Sequence, residues 1–188
     1  MSATIEWHQQ FDYVYHPINH LNPTKFPDLW HVWKENREGI FNGASFTFVV
    51  PAEFDEVKDT SSDKLWLVKQ NGMWGIYNSS LNVFVAPLEF SRILATNFND
   101  FWCVEKDGKW GVYNLRMKCF IVPVEFDDVR GTCCGELWKI ETDHRWGIYD
   151  SYKAKVAIKE WFDHIYCQQD VRRFVGEESG EKDVFFSC

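Results

Sequence analysis

The residues in this chain best equipped for chemistry are its six histidines and six cysteines, and neither set forms a known catalytic or metal-binding constellation. His16 and His20 are four apart, the spacing that lets two imidazoles share a metal on one helical face, but Pro17 between them disfavours a helix. Asp143-His144 and Asp163-His164 each pair a carboxylate with an imidazole, the raw material of acid/base catalysis, without a nucleophile at a recognisable spacing. Cys133 and Cys134 are adjacent and could bind a metal or form a strained redox disulfide. They have no C-x-x-C partner, so they read more simply as two small loop residues. Cys103, Cys119, Cys167 and Cys188 stand at unrelated spacings, which points to reduced thiols. No H-E-x-x-H, G-x-S-x-G or glycine-rich phosphate loop occurs. The expectation is a non-enzyme with no catalytic residue, cofactor or metal.

The charge narrows the class of partner. With 28 acidic and 20 basic residues in 188, the formal charge is −8, and such a surface repels a phosphate backbone rather than releasing its counterions. The start, "MSATIEWHQQ", has neither a basic n-region nor an apolar h-region, and no run approaches the roughly 18 apolar residues of a membrane span. The reading is a soluble, cytoplasmic protein that binds neither nucleic acid nor membrane.

The elements that would position any site are set by a repeat. "QNGMWGIYN" (70–78), "KDGKWGVYN" (106–114) and "TDHRWGIYD" (142–150) are one string at an interval of 36. Trp30, Trp66, Trp102 and Trp138 keep that interval, as do Phe54, Phe90, Phe126 and Phe162. Tandem periodicity of this kind marks a repeat architecture. Each unit runs through an F-D-x-V segment, a variable connection, an L-W-x-V strand, a two-residue turn, W-G-I-Y-N, a second turn and an apolar run such as "VFVAP". These runs are short, rich in Val, Ile and aromatics, and bounded by Asn, Gly, Asp and Pro, which is the pattern of meander strands. The predicted fold is all-β: tandem 36-residue hairpin or meander repeats in an elongated or partial-barrel array, with a closed five-bladed propeller as the alternative. One domain over 1–188 would hold units at about 11–53, 54–89, 90–125, 126–161 and 162–188, the last a polar cap. The segment 16–28, with three prolines, reads as an irregular loop.

A two-residue turn fixes the register. Asn71-Gly72 and Asp107-Gly108 suit a type I′ turn, and Asp143-His144 fills that slot in the fourth unit. Trp66 then faces Tyr77, Val68 faces Gly75 and Lys69 faces Trp74, with the same pairs at 102/113, 104/111, 105/110 and at 138/149, 140/147, 141/146. In the first unit a turn at Glu35-Asn36 pairs Trp30 with Phe41, Val32 with Gly39 and Trp33 with Glu38, so the Trp and the charged residue have exchanged strands. The glycine is expected to let an aromatic ring lie close over the backbone. In the last unit Phe174 is expected opposite Phe185, around Ser179-Gly180.

The K-x-G-K-W-G-V-Y-N core, the L-W-x-V strand before it and the I/V-x-P-x-E-F-D-x-V segment after it resemble the bacterial WG-repeat, or KWG-repeat, family over roughly residues 29–166. The resemblance implies tandem β-hairpin repeats and a binding role, and it carries over no catalytic residue. Recognition in repeat scaffolds sits in the connections that vary. Asp55, Glu56, Asp59 and Asp63 cluster in one of these, and Asp127 and Asp128 repeat the first two 72 residues later. They are the predicted partner-binding residues. The expected function is a non-catalytic protein-binding module, most concretely a small cytosolic immunity protein or toxin inhibitor neutralising a basic protein. A structural or regulatory scaffold, or a peptide- or glycan-binding protein using exposed Trp faces, is the alternative.

Overall fold

The computed structural model describes residues 7–15, 26–168, 173–178 and 180–187. Apart from one 3₁₀ turn at Trp7–Gln10, all its regular structure is antiparallel strand. Sheet one orders β1 (Tyr13–Tyr15), β2 (Leu29–Lys34), β3 (Arg37–Asn42) and β4 (Thr47–Phe54) side by side. Sheet two does the same with β5 (Glu56–Lys58), β6 (Leu65–Gln70), β7 (Met73–Asn78) and β8 (Val83–Phe90). Sheet three holds β9 (Arg92–Ala95), β10 (Phe101–Lys106), β11 (Lys109–Asn114) and β12 (Cys119–Phe126). Sheet four holds β13 (Asp128–Gly131), β14 (Leu137–Thr142), β15 (Arg145–Asp150) and β16 (Lys155–Phe162). The final sheet shows β17 (His164–Gln168), β18 (Arg173–Glu178) and β19 (Glu181–Ser187). The chain is thus the all-β tandem array of the sequence period, one meander per repeat. It divides into two compact units, Met1–Glu89 and Phe90–Cys188.

The inner hairpins follow the register dictated by the two-residue turn. Trp66↔Tyr77, Val68↔Gly75 and Lys69↔Trp74 are partners, as are the 36-residue equivalents in sheets three and four. Sheet one pairs Trp30↔Phe41, Val32↔Gly39 and Trp33↔Glu38. The turns carry the positive φ this requires: 52° and 60° at Glu35 and Asn36, and 51° and 63° at Asp143 and His144. His144 is therefore a turn residue. The last hairpin departs from expectation. Its register holds as far as Val175↔Val184, and a bulge then sets Phe186, not Phe185, opposite Phe174.

The remaining letters of the repeated string also have partners. The carboxamide of Asn42, Asn78 or Asn114, or the carboxylate of Asp150, accepts amides of the turn that follows, an Asx turn closing the third strand onto the fourth. The aspartate of F-D does the same one turn earlier: Asp12, Asp55 and Asp127 accept the amides of Glu35, Asn71 and Asp143 at 2.6, 2.6 and 2.8 Å. The Phe before it sits on the tyrosine of the next hairpin, with Phe54–Tyr77, Phe90–Tyr113 and Phe126–Tyr149 centroids 6.3, 6.0 and 5.9 Å apart. One short motif thus ends one sheet, starts the next and packs across the seam.

The connection read as variable contains a constant. Thr60, Thr96 and Thr132 recur at the 36-residue interval, each donating its hydroxyl to a carbonyl five residues on (Leu65, Phe101 and Leu137, at 2.6, 2.7 and 2.6 Å). Each also accepts the amide two residues on.

Burial follows the pairs. Trp66, Val68, Trp138 and Ile140 are fully buried, and Trp102, Val104, Tyr77, Tyr113 and Tyr149 are nearly so. Within the first unit, sheet one brings Ile40 and Val50 against Val57, Trp66, Val68 and Tyr77 of sheet two. Within the second, Trp110, Val112 and Val122 of sheet three meet Val129, Trp138, Ile140 and Tyr149 of sheet four. Within each unit, one face of the first sheet (sheets one and three) therefore covers the opposite face of the next (sheets two and four).

The glycine of W-G has a different reason from the expected one. It is pressed by backbone, not by an aromatic ring. A Cβ on Gly111 would stand 2.7 Å from the Val122 carbonyl oxygen and 2.9 Å from the Pro123 carbonyl, and Gly39 and Gly75 meet the same obstruction from Val50 and Ala52 and from Ala86 and Pro87. The cause is a bulge: Trp110 pairs with Phe126 but Val112 with Val122. Three residues, Pro123, Val124 and Glu125, therefore oppose Gly111 alone. Proline fits there because the bulged residues lie outside the hydrogen-bond ladder. In sheet four Lys159 takes the proline position and the same register is kept.

Gly111→Val is therefore expected to overpack against rigid backbone and destabilise by about 1–3 kcal/mol. Gly108→Asn, at a φ of 76° with nothing within 4 Å of the added Cβ, is expected to cost a few tenths. Thermal melts of the two variants check this, and equal midpoints would contradict the bulge contact.

Candidate functional site

The chemically distinctive positions lie on the sheet face opposite the Trp-Val-Tyr face. There the W-G indole stands beside a cation in each of three sheets. Lys58 and Lys69 lie 4.3 and 5.3 Å from the Trp74 centroid, Arg92 5.0 Å from Trp110, and Arg130 and Lys139 4.9 and 5.7 Å from Trp146. Such contacts are worth about 0.5–1 kcal/mol at exposed sites and more when desolvated. The rings that the alternative reading offers to a peptide or glycan are already covered by the protein's own cations.

Sheet one departs from this pattern because its Trp is exchanged for Glu38. The Glu38 carboxylate is buried. It contacts His31 Nδ1 at 2.6 Å through Oε1 and accepts the amide of Val57, on the edge strand β5 of sheet two, at 2.9 Å through Oε2. The other imidazole nitrogen, Nε2, lies 3.2 Å from Asp59. Burial alone would lower the His31 pKa, but hydrogen bonds and charge from Asp59 and Glu38 outweigh it and raise it to about 9. A protonated imidazole between two carboxylates thus bridges sheets one and two.

The equivalent place in the second unit is open. A cleft of about 620 Å³ lies between the Arg92–Trp110 face of sheet three and the edge strand β13 of sheet four. Cys103 replaces His31 and Trp110 replaces Glu38 on the 72-residue offset. Burial, with the charge of Asp128, pushes the Cys103 thiol up to about 12. It therefore stays protonated and points at the Val129 carbonyl, 3.6 Å away.

The predicted partner-binding carboxylates fall on both units and are largely engaged within the chain. Asp55 takes the Asn71 amide and an ion pair from Arg37. Glu56 lies 3.0 Å from Lys58 and 3.9 Å from Lys69, and Asp59 is held by His31. Asp127 takes the Asp143 amide and Lys109 at 2.5 Å, and these hold its carboxyl below the usual carboxylate range. Asp128 pairs with Arg130 at 2.8 Å. Asp63 is exposed. Sequence reasoning missed the cations, although they keep the repeat phase: Arg37, Lys109 and Arg145 precede Asp55, Asp127 and Asp163 by 18, and where the cation becomes Met73 the acid becomes Ser91.

The other chemical candidates resolve less. Among the described residues, no group of three or more His, Cys, Asp or Glu is placed to hold a metal ion, and no helix is long and apolar enough to cross a membrane. The Cys133 and Cys134 sulfurs are 3.5 Å apart in the threonine-stapled loop. His16 and His20 lie outside the described residues, as do the side chains of Cys167 and Cys188.

No family model matches the chain, and no curated protein matches it in sequence. In fold it is similar to a eukaryotic initiation factor, at 8% identity over 85% of this chain and 49% of that one, with a TM-score of 0.48. It is similar also to Hsv2 of Kluyveromyces lactis, at 7% identity over 86% and 58%, with a TM-score of 0.41. A third is the β-propeller domain of Cps50 (Swd1) from Myceliophteria thermophila, at 13% identity over 85% and 67%, with a TM-score of 0.37. The chain spans about half to two thirds of the length of these proteins.

The His31 bridge makes a pH dependence. Its folded pKa lies above the unfolded value of about 6.5, so its stabilisation is complete below pH 6.5 and is lost as the pH rises towards 9. Unfolding free energy is expected to fall by at most about 1.4 kcal/mol per pH unit across that window. Urea titrations at pH 6, 7.5 and 8.5 should show the fall in the wild type and not in His31→Gln.

Proposed function

We propose that this chain is a non-catalytic protein-binding module, and most concretely a small cytosolic immunity or inhibitor protein that covers a basic toxic protein. The observation that carries the reading is the division of labour along the repeat. The recurring residues are absorbed in turns, seams and the glycine bulge, while large apolar side chains stand out where the units differ. On the turn between third and fourth strands, Leu81, Met117 and Tyr152 are 66, 67 and 83% exposed. Apolar groups presented this way supply area to a protein partner, and the net charge of −8 favours encounter with a cationic one. The WG-repeat resemblance agrees with a binding role.

Of the acidic loop, Asp63 is the residue to test, because reversing Asp55, Asp59 or Asp127 also breaks a turn or bridge. Asp63→Lys is expected to leave the melting temperature unchanged, slow association with a partner co-purified from the native cell and flatten its salt dependence. Replacing Leu81 and Met117 by serine should instead speed dissociation. Stopped-flow or biosensor kinetics at low and high salt measure both. A tight partner indifferent to salt and to Asp63→Lys would remove the acidic mechanism.

A further inference from the structure

We propose that the cleft between sheets three and four is a carboxylate-binding site, in which Arg92 and the backbone amide of Val129 hold the anion above Trp110. The site is separate from the acidic connection at 55–63, and Asp127 and Asp128 lie at its edge.

The first unit shows which group fits. There Glu38 fills the equivalent place and receives the amide of Val57 at 2.9 Å. Val129 is Val57 one pair of repeats later, on the edge strand β13 and lining the cleft. Its carbonyl faces the Cys103 thiol. The N–H and C=O of one residue in an antiparallel strand point to the same side, so the Val129 amide also faces the cleft. Trp110, which stands where Glu38 stood, has no acceptor to offer it. The second unit has kept the donor and carries its acid on the other strand of the pair, at Glu105, where Arg92 holds it.

The electrostatics agree. Arg92 lies over the Trp110 ring at 5.0 Å and is 62% exposed; its Nε pairs with Glu105 at 3.7 Å, which leaves the N–H groups of its two terminal nitrogens for a ligand. Two of the carboxylates whose residues line the cleft lie on the other face. Asp128 and Glu141 are cross-strand partners, Glu141 in turn faces Trp146, and strand alternation sets all three opposite Val129 and Ile140, which pack towards sheet three. Asp127 is taken by Lys109 and the Asp143 amide. Glu105, the cross-strand partner of Trp110 and Arg92, shares their face and is paired with Arg92. The groups left for a ligand are the outer guanidinium nitrogens and the Val129 amide, and about 620 Å³ suits a small dicarboxylate or an acidic side chain carried on a peptide.

The test is ¹H–¹⁵N NMR of the full chain titrated with glutarate, with the capped tripeptide acetyl-Ala-Glu-Ala-amide, and with glutaramide as the uncharged control. A saturable downfield shift of the Val129 amide is expected with at least one carboxylate probe and not with glutaramide. Saturation by glutarate identifies a free small acid as sufficient; saturation by the peptide alone identifies an acidic side chain. Arg92→Gln loses the contacts with Trp110 and Glu105 and should melt slightly below the wild type while keeping its dispersed amide spectrum, and it should weaken the shift-derived Kd at least tenfold, with Arg92→Lys recovering part of the loss. A Val129 amide indifferent to both acids, an equal response to glutaramide, or full binding in Arg92→Gln would overturn the assignment.

Discussion

Everything regular in this molecule depends on one close approach, the bulged fourth strand resting its backbone on the glycine of W-G. The contact is backbone to backbone, at distances that leave no room for a β-carbon. At Gly39 and Gly111 it therefore restricts the residue type more tightly than a side-chain contact, which would tolerate repacking. Because three residues oppose one at that point, the fourth strand bends, and the stretch after the bulge is aimed out of its own sheet. The Phe at its end reaches the tyrosine of the next hairpin, and the Asp after it caps the next turn. A glycine in one strand thus decides where the following sheet begins.

Stacking then follows from alternation. Trp-Val-Tyr residues on one face and Ile or Val on the other give every sheet two apolar surfaces of unequal size, and neither can face water at the scale of indole and phenol rings. Within each unit, covering the large face of sheet two or four with the small face of sheet one or three buries both. The periphery of the small face is left to the W-G indole, which a Lys or Arg completes. That ring is half-buried at Trp74 and Trp146 and buried at Trp110, and the cation beside it acts as packing and as charge at once.

Most of this was legible from spacing, because the forces are local. Turn dipeptides, strand pairs and the seams between repeats all lie within one period, and the exchange of Trp33 and Glu38 was readable as a cross-strand substitution. What spacing could not give was any contact determined by the third dimension. The bulge is invisible because glycine opposite proline looks like a packing choice until register is known on both sides of it. Thr60, Thr96 and Thr132 went unremarked because the residues around them differ, although their interval was there to find. His31 and Asp59 are 28 residues apart in adjacent sheets, and Arg37 reaches Asp55 only because successive hairpins pack in phase. The acidic loop looked unpaired for that same reason.

The repeat also shows how such a scaffold changes its chemistry without changing its fold. Position 31 and its equivalents read His, Leu, Cys and Lys, and position 38 and its equivalents read Glu, Trp, Trp and Trp, yet the registers around them are the same. The glycine, the turn and the Phe-Tyr seam carry the geometry, so the paired slots on the other face are free to hold a buried ion bridge in one place and a ring under a guanidinium in another. A side chain that leaves such a slot takes its hydrogen bonds with it but leaves the edge-strand amide where it was. Divergence in this fold thus consists of emptying or filling slots against a constant backbone donor. That is why the ion bridge of the first unit and the cleft of the second are two states of one position.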